Sequence, residues 1–373
     1  MSDATRGLEG VVVGSSAISK VYGDEGNLVY RGIGIHDLAR ESTYEEVAFL
    51  LLQGRLPRRP ELDEFCRRLT DEAKVPDPIL EWIRSAPEED SMATLRTAVS
   101  QLSAFDPDAE DLSVLASERK GVRLIAAMST LVAAIGRARE GKAFVLPEPG
   151  LSHAANFLYM LTGEEHDRTA VRTFDQALVL HADHGFNAST FTARVTTSTL
   201  SDMHSAVVAA IGTLKGASHG GANTRVMQTL LEIDGSGQTA EAWVRDQLAA
   251  GRRIMGFGHR VYKVEDPRAT HLRQSSEALA KLRGDDKWFN MSRRIEQHMR
   301  EEKGLYPNVD FFSASTYFLL GIPIHLYTPI FAVSRVAGWA AHILEQTQDN
   351  RLIRPRSNYI GPTGIAYVPL ANR

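Results

Sequence analysis

The chain has 373 residues, with 42 Lys and Arg against 46 Asp and Glu and a formal net charge of -4. Hydrophobic residues make up 43% and charged residues 24%, a globular balance that excludes disorder, collagen and coiled-coil rods as the dominant state. The length suits about two domains, and the slight acidity gives no electrostatic reason to expect nucleic acid or an anionic membrane surface.

The N-terminus, MSDATRGLEG, has no apolar signal core. Short strand patterns follow at 10–13 and 28–30. Residues 42–53, STYEEVAFLLLQ, read as a helix opened by a Ser42/Glu45 capping box and stopped by Gly54 and Pro57. Cys66 is the sole cysteine, so no intramolecular disulfide is available, and a buried thiol in a cytoplasmic protein is expected. Apolar residues recur at helical spacing over 92–102, 121–139, 154–161, 172–182, 203–214, 226–233, 241–250 and 331–346. Residues 311–334 carry no formal charge over a length that would span a bilayer. Pro323 and Pro329 favour two buried segments joined at Gly321-Ile322-Pro323 instead. The last strand pattern covers 365–370. These patterns predict an all-α protein with a large helical core.

Three segments concentrate the chemistry. In KGASHGGAN (215–223), glycines bracket His219 just before a helical pattern. A helix N-terminus disfavours imidazolium, so a neutral His219 ring that donates a hydrogen bond is expected. A plain helix-capping turn is the alternative. In MGFGHRVYKVEDPR (255–268), Gly256 and Gly258 precede His259, Arg260, Lys263 and Arg268. Backbone groups freed by the glycines, beside cations, suit a phosphorylated or polycarboxylate ligand, and an exposed basic loop is the alternative. In NVDFFSAS (308–315), Asp310 precedes an apolar run. Apolar surroundings push a carboxyl upward and make it a better base near neutrality, whereas an N-cap role would be purely structural. His181, Asp183 and His184 form a weak metal pattern without HExxH spacing. Arg335, Arg354 and Arg356 surround the last helical pattern and offer guanidinium forks for carboxylates.

Together these segments resemble the citrate synthase family. HGGAN at His219, GFGHRVYKxxDPR over 256–268 and NVDFFS at Asn308 recur in that order, with 40 residues from His219 to His259 and 51 from His259 to Asp310. GLEGVVVGSSAISKVYGDEGNLVYRG, EEVAFLLLQGRLP, LRTAVS at Leu95 and PRSNYIGP at Pro355 are similar to the short bacterial and archaeal members. The resemblance spans essentially the whole chain.

It implies the all-α citrate synthase fold, with a large helical domain at 1–219 and 323–373 and a smaller mobile domain at 220–322. It also implies a homodimer in which Arg354 reaches into the partner's site. Asp310 would be the base acting on the acyl-CoA methyl group. His219 would donate to the thioester oxygen and His259 to the keto oxygen of oxaloacetate. His184, Arg268, Arg335 and Arg354 would hold oxaloacetate and citrate. Arg253, Ile254, Met255, Gly256, Phe257, Lys263 and Asn308 would contact CoA. No metal and no cofactor are implied, because coenzyme A enters as a thioester substrate. Ala217-Ser218 stand where relatives commonly have Pro-Leu, Ser91 where Pro is frequent, and Lys263 where some have arginine. Acetyl-CoA and propionyl-CoA differ by one methylene, so 2-methylcitrate synthase is the alternative activity, alone or alongside the first. A non-catalytic scaffold and a metal-dependent hydrolase on His181, Asp183 and His184 complete the readings.

Overall fold

The protein is described by a computed structural model covering residues 6–373 except Pro87 and Glu89. A three-stranded antiparallel sheet opens the fold: β1 Ser19–Tyr22, β2 Asn27–Tyr30 and β3 Ile33–Gly34, in that spatial order. Ser19 lies opposite Tyr30, and Val29 opposite Gly34.

Sixteen α-helices follow among the described residues. The first eight are α1 Ile35–Glu41, α2 Tyr44–Gln53, α3 Arg59–Asp71, α4 Asp77–Ser85, α5 Ser91–Leu102, α6 Val114–Arg139, α7 His153–Thr162 and α8 Arg168–His181. The rest are α9 Ala188–Ser198, α10 Met203–Leu214, α11 Ala222–Ser236, α12 Ala240–Ala249, α13 Pro267–Arg283, α14 Lys287–Lys303, α15 Val309–Leu319 and α16 Tyr327–Gln348. The expected all-α architecture is what the chain adopts.

Local chemistry sets the boundaries. Asp90, Ser152, Asp167, Asn187 and Asp202 each accept the backbone N–H three residues on, opening α5, α7, α8, α9 and α10. Such caps are each worth about 1 kcal/mol. The capping box of α2 is shifted by one residue from the expected pair: Thr43 caps, and Glu46 returns the bond to the Thr43 N–H. Ser42 instead closes α1, its hydroxyl donating to the Leu38 carbonyl, and Glu45 turns into the interior.

Two helices form the spine. α6 is long and apolar enough to cross a membrane by length and composition, but 94% of its apolar window is buried inside the protein. It packs against α16, which also touches α2, α8, α9 and α10. The uncharged stretch at 311–334 divides as expected: α15 ends at Leu319, Gly321 adopts φ 75°, and α16 begins at Tyr327. Helices α11 to α15 pack largely on one another.

Two expected strands do not form. Residues 10–13 are exposed, Val12 at 88%, and residues 365–369 join no strand before a short 3-10 turn at Leu370–Asn372. Alternating apolar residues make a strand only where a neighbouring strand satisfies the backbone. Conversely, α1, α3, α4, α9, α13, α14 and α15 lay outside the helical patterns read from the sequence. α3, RPELDEFCRRLTD, buries only Phe65 and Leu69, so its apolar stripe is thin.

The spine also touches a turn that matters below. Gly338 of α16 faces the Ala182-Asp183 turn, and a Cβ there would lie 2.5 Å from Asp183 Oδ1 and closer still to the Ala182 carbonyl oxygen. Gly338→Ala is therefore expected to cost about 1–3 kcal/mol through overpacking, read as a lowered denaturant midpoint with an unchanged m-value.

Candidate active site

A cleft of about 830 Å³ gathers residues from distant parts of the sequence. β1 supplies Ser19, Lys20 and Val21, the turn after α8 supplies His184, and the turn before α11 supplies His219. The loop before α13 supplies His259, α13 supplies Arg268, α15 supplies Asp310, and α16 supplies Phe331 and Arg335.

Asp310 sits in the first turn of α15 but does not cap it. That role falls to Asn308, whose side-chain oxygen accepts the Asp310 N–H at 3.0 Å. The Asp310 carboxyl is buried, and its Oδ1 has no hydrogen-bond partner. Burial pushes it up to about 7, Asp266 adds to the rise, and Arg268 and Arg335 oppose it.

Two of the three cleft histidines are held as neutral rings of defined tautomer. His219 Nε2 accepts the Ser189 backbone N–H at 3.2 Å, so the proton resides on Nδ1. His259 Nδ1 accepts the Val261 and Tyr262 N–H groups at 3.0 Å each, so its proton resides on Nε2. Burial lowers both to about 4. For His219 burial is the leading cause and the Arg335 charge the next, both acting in the direction expected of a helix terminus. Each ring thus keeps one N–H for a ligand.

The cationic wall is deeper. Arg268 is buried, and its Nε and Nη2 donate to Asp266 at 2.9 and 2.8 Å. Arg335 is buried, donates through Nε to the His181 carbonyl at 2.7 Å and lies 4.7 Å from the Phe331 ring centroid. Burial lowers its guanidinium to about 10, which leaves it charged at neutral pH. His184 packs against the rings of His259 and Tyr262, and burial with the nearby Arg268 holds it well below its ordinary value.

The glycine loop behaves differently from the expectation of free backbone groups. The Gly256 carbonyl accepts the Asn308 N–H, the Gly258 N–H donates to the Tyr306 carbonyl, and the Gly258 carbonyl accepts Asn308 Nδ2. Gly256 has φ 83°, and a Cβ there would meet Phe311 at 2.8 Å, so glycine serves close packing of the loop onto α15. Asn308 lines the cleft. Arg253 is exposed, Ile254 buried, and Met255 and Phe257 half-buried beside the cleft. Lys263 is exposed and pairs with Asp24 at 2.8 Å. Arg354 lies in the exposed C-terminal segment, in a shallow depression with Pro355, Arg356 and Ser357.

His181, Asp183 and His184 do not converge. His181 Nδ1 donates to the Ala177 carbonyl, Asp183 is bound by Ser19, the Gly185 N–H and His342, and His184 faces the cleft. Among the described residues no group of three or more His, Cys, Asp or Glu side chains is arranged to hold a metal ion. Sequence reasoning overlooked the wall formed by Ser19 to Val21 and by Asn187 and Ala188. The Asn187 cap, N-A-S-T after Gly185, was the available signal for the second of these.

The raised Asp310 carboxyl has a stability consequence. Its folded value lies above the unfolded one, so the folded state binds more protons between about 4 and 7, and stability falls as pH rises through that window. Asp310→Asn keeps the neutral form at every pH. Thermal melts across pH are expected to show the variant increasingly more stable than the parent between pH 4 and 7, by about 4 kcal/mol at most, with no difference at lower pH.

Comparison with known proteins identifies the family. The family described as citrate synthase, C-terminal domain, matches residues 7–356. A citrate synthase of Haloferax volcanii is 54% identical, covering 99% of this chain and 98% of its own. A 2-methylcitrate synthase of Mycobacterium tuberculosis is 43% identical, covering 96% of this chain and 91% of its own. The Thermoplasma acidophilum citrate synthase, solved with carboxymethyl coenzyme A and oxaloacetate, superimposes with a TM-score of 0.93 at 34% identity over 100% of both chains. The chain therefore belongs to the citrate synthase family.

Proposed function

We propose that the cleft condenses acetyl-CoA with oxaloacetate and hydrolyses the resulting thioester to citrate and CoA. The observation carrying this reading is the buried, unpartnered Asp310 oxygen, in a carboxyl pushed up to about 7, lining a cleft that also holds two neutral histidines with defined N–H donors. A carboxylate alone is too weak to deprotonate a thioester, so a donor must stabilise the enolate as it forms. Asp310 removes the methyl proton while the Nδ1–H of His219 donates to the thioester oxygen. The resulting enol carbon attacks the keto carbon of oxaloacetate, and the Nε2–H of His259 donates to the oxygen that becomes the alkoxide. Water then cleaves the thioester, releasing the CoA thiol and citrate.

Arg268, Arg335 and His184 hold the oxaloacetate. Asp266 occupies Nε and Nη2 of Arg268 and leaves the remaining guanidinium edge for substrate. Residues 253–257 with Lys263 and Asn308 flank the CoA chain. All bonds made and broken are polar two-electron steps within reach of these side chains, so the scheme requires no cofactor.

Residues 220–322 form the smaller mobile domain in this reading, and 1–219 with 323–373 the larger one. The mutual packing of α11 to α15 supports the division, and the cleft takes residues from both sides. Closure would exclude water until condensation is complete. A homodimer with Arg354 crossing to the partner's site completes the anion wall. Its support is the exposed apolar tail, with Ile360 at 92%, Tyr367 at 80% and Leu370 at 77%. The half-buried single thiol of Cys66 suits a cytoplasmic location.

The direct assay is thiol release with oxaloacetate, comparing kcat/KM for acetyl-CoA and propionyl-CoA. An acetyl preference is expected, a propionyl preference would shift the activity to 2-methylcitrate synthesis, and no release with either would overturn the reading. Asp310→Ala is expected to lower kcat by roughly 10² to 10⁴ while oxaloacetate affinity holds. A collapse of that affinity would make Asp310 structural. Arg354→Ala is expected to raise the oxaloacetate KM, and mixing it with Asp310→Ala protein to restore activity. No restoration after demonstrated subunit exchange would exclude the crossed arginine.

A further inference from the structure

A second cavity of about 520 Å³ lies between α2, α3, α6 and α7, with none of its lining residues shared with the catalytic cleft. Its volume is in the range that accepts small organic ligands. Apolar side chains such as Leu62, Leu69 and Met160 make up much of its wall.

Glu45 provides the polar feature. The residue is only 4% exposed, one carboxyl oxygen accepts the His153 N–H at 2.7 Å, and the other oxygen is buried without any partner. The remaining charges of the lining cancel, because Arg59 pairs with Asp63 at 2.9 Å and Arg67 with Asp71 at 2.5 Å. His153, which accompanies Glu45, is held neutral: burial lowers its ring to about 4. Glu45 thus brings one unpartnered carboxyl oxygen to a largely apolar wall, and no ion pair to it is found among the described residues. A buried carboxyl oxygen without a partner is costly until a donor reaches it.

We propose that this cavity is a binding site for a small primary ammonium with a short apolar body, the charged head donating to the unpartnered oxygen of Glu45 and the body lying against Leu62, Leu69 and Met160. The hydroxyl of Ser129, which bonds His153 Nε2 at 2.7 Å, offers the head a second polar neighbour. This assignment stands on the cavity alone and is independent of the reaction proposed above.

Cys66 lines the same cavity and is the only thiol of the chain, so its chemistry reports occupancy. The full-length protein would be treated with iodoacetamide, and Cys66 alkylation followed by mass, with butylammonium chloride against sodium chloride at equal ionic strength. Saturable slowing is expected, about tenfold when the ammonium stands at roughly ten times its dissociation constant. 1-Butanol is expected to protect far less, and Glu45→Gln to abolish the ammonium's advantage over butanol while leaving citrate formation intact. Absence of saturable slowing in the parent protein would overturn the site. Equal protection by butanol would reduce it to an apolar hole, and undiminished protection in folded Glu45→Gln would remove Glu45 from it. The butanol comparison uses the parent protein, so the test stands even if the variant does not fold.

Discussion

The carboxylate of Asp266 is the knot on which the site depends. Its Oδ1 accepts the Arg268 backbone N–H at 3.0 Å and so caps α13, and its two oxygens bind the Arg268 side chain. Its Oδ2 also accepts the Val309 N–H at 3.2 Å, at the start of α15. One buried anion thereby sets the position of a substrate-facing guanidinium relative to the helix that carries Asp310. Burial alone would raise this carboxyl, and Arg268 more than offsets that, leaving Asp266 below its ordinary range. Asp310 lies nearby with no such partner and is pushed the opposite way. Two carboxyls in one buried region are separated in character by who bonds to them.

The same economy governs the histidines. Neither ring is oriented by a charged partner; backbone N–H groups occupy one nitrogen of each. A carboxylate in that position would raise the ring toward imidazolium, whereas an amide leaves it neutral. Neutral donors suit oxygens that gain negative charge only during reaction, since they do not bind the resting substrate as tightly as they bind the developing anion.

Much of this was legible in the sequence, because the catalytic groups sit in short local motifs with glycine or asparagine punctuation. His219, His259 and Asp310 could be singled out from their neighbours before any fold was known. The contribution of β1 could not. Ser19 reaches Asp183 across 164 residues, and Tyr30 donates to the Asp183 carbonyl across 153, and nothing in SKVY signals such a partner. Helices α13 and α14 were missed for a related reason. Their charged residues mask the apolar stripe, and α13 packs chiefly on α15 and α14 on α12, contacts that no local pattern reveals. Burial, which leads in holding His219 neutral, is a property of the assembled fold that no local pattern contains.

The contacts of the N-terminal segment carry a consequence for how the protein is made. The Ala17 N–H donates to Glu345 at 2.8 Å, and the same carboxylate binds Arg194 at 2.7 Å. Ser19 and Tyr30 fasten the first strands to the Asp183 turn, and Gly338 lets α16 close over that turn. The first wall of the cleft is thus held by one of the last helices to be synthesised. During translation β1 and β2 gain the Asp183 turn only after 153 to 164 further residues, and Ala17 gains Glu345 only after 328. Closing contacts of that span is slow. The interval before α16 docks is when the nascent chain has most need of a chaperone.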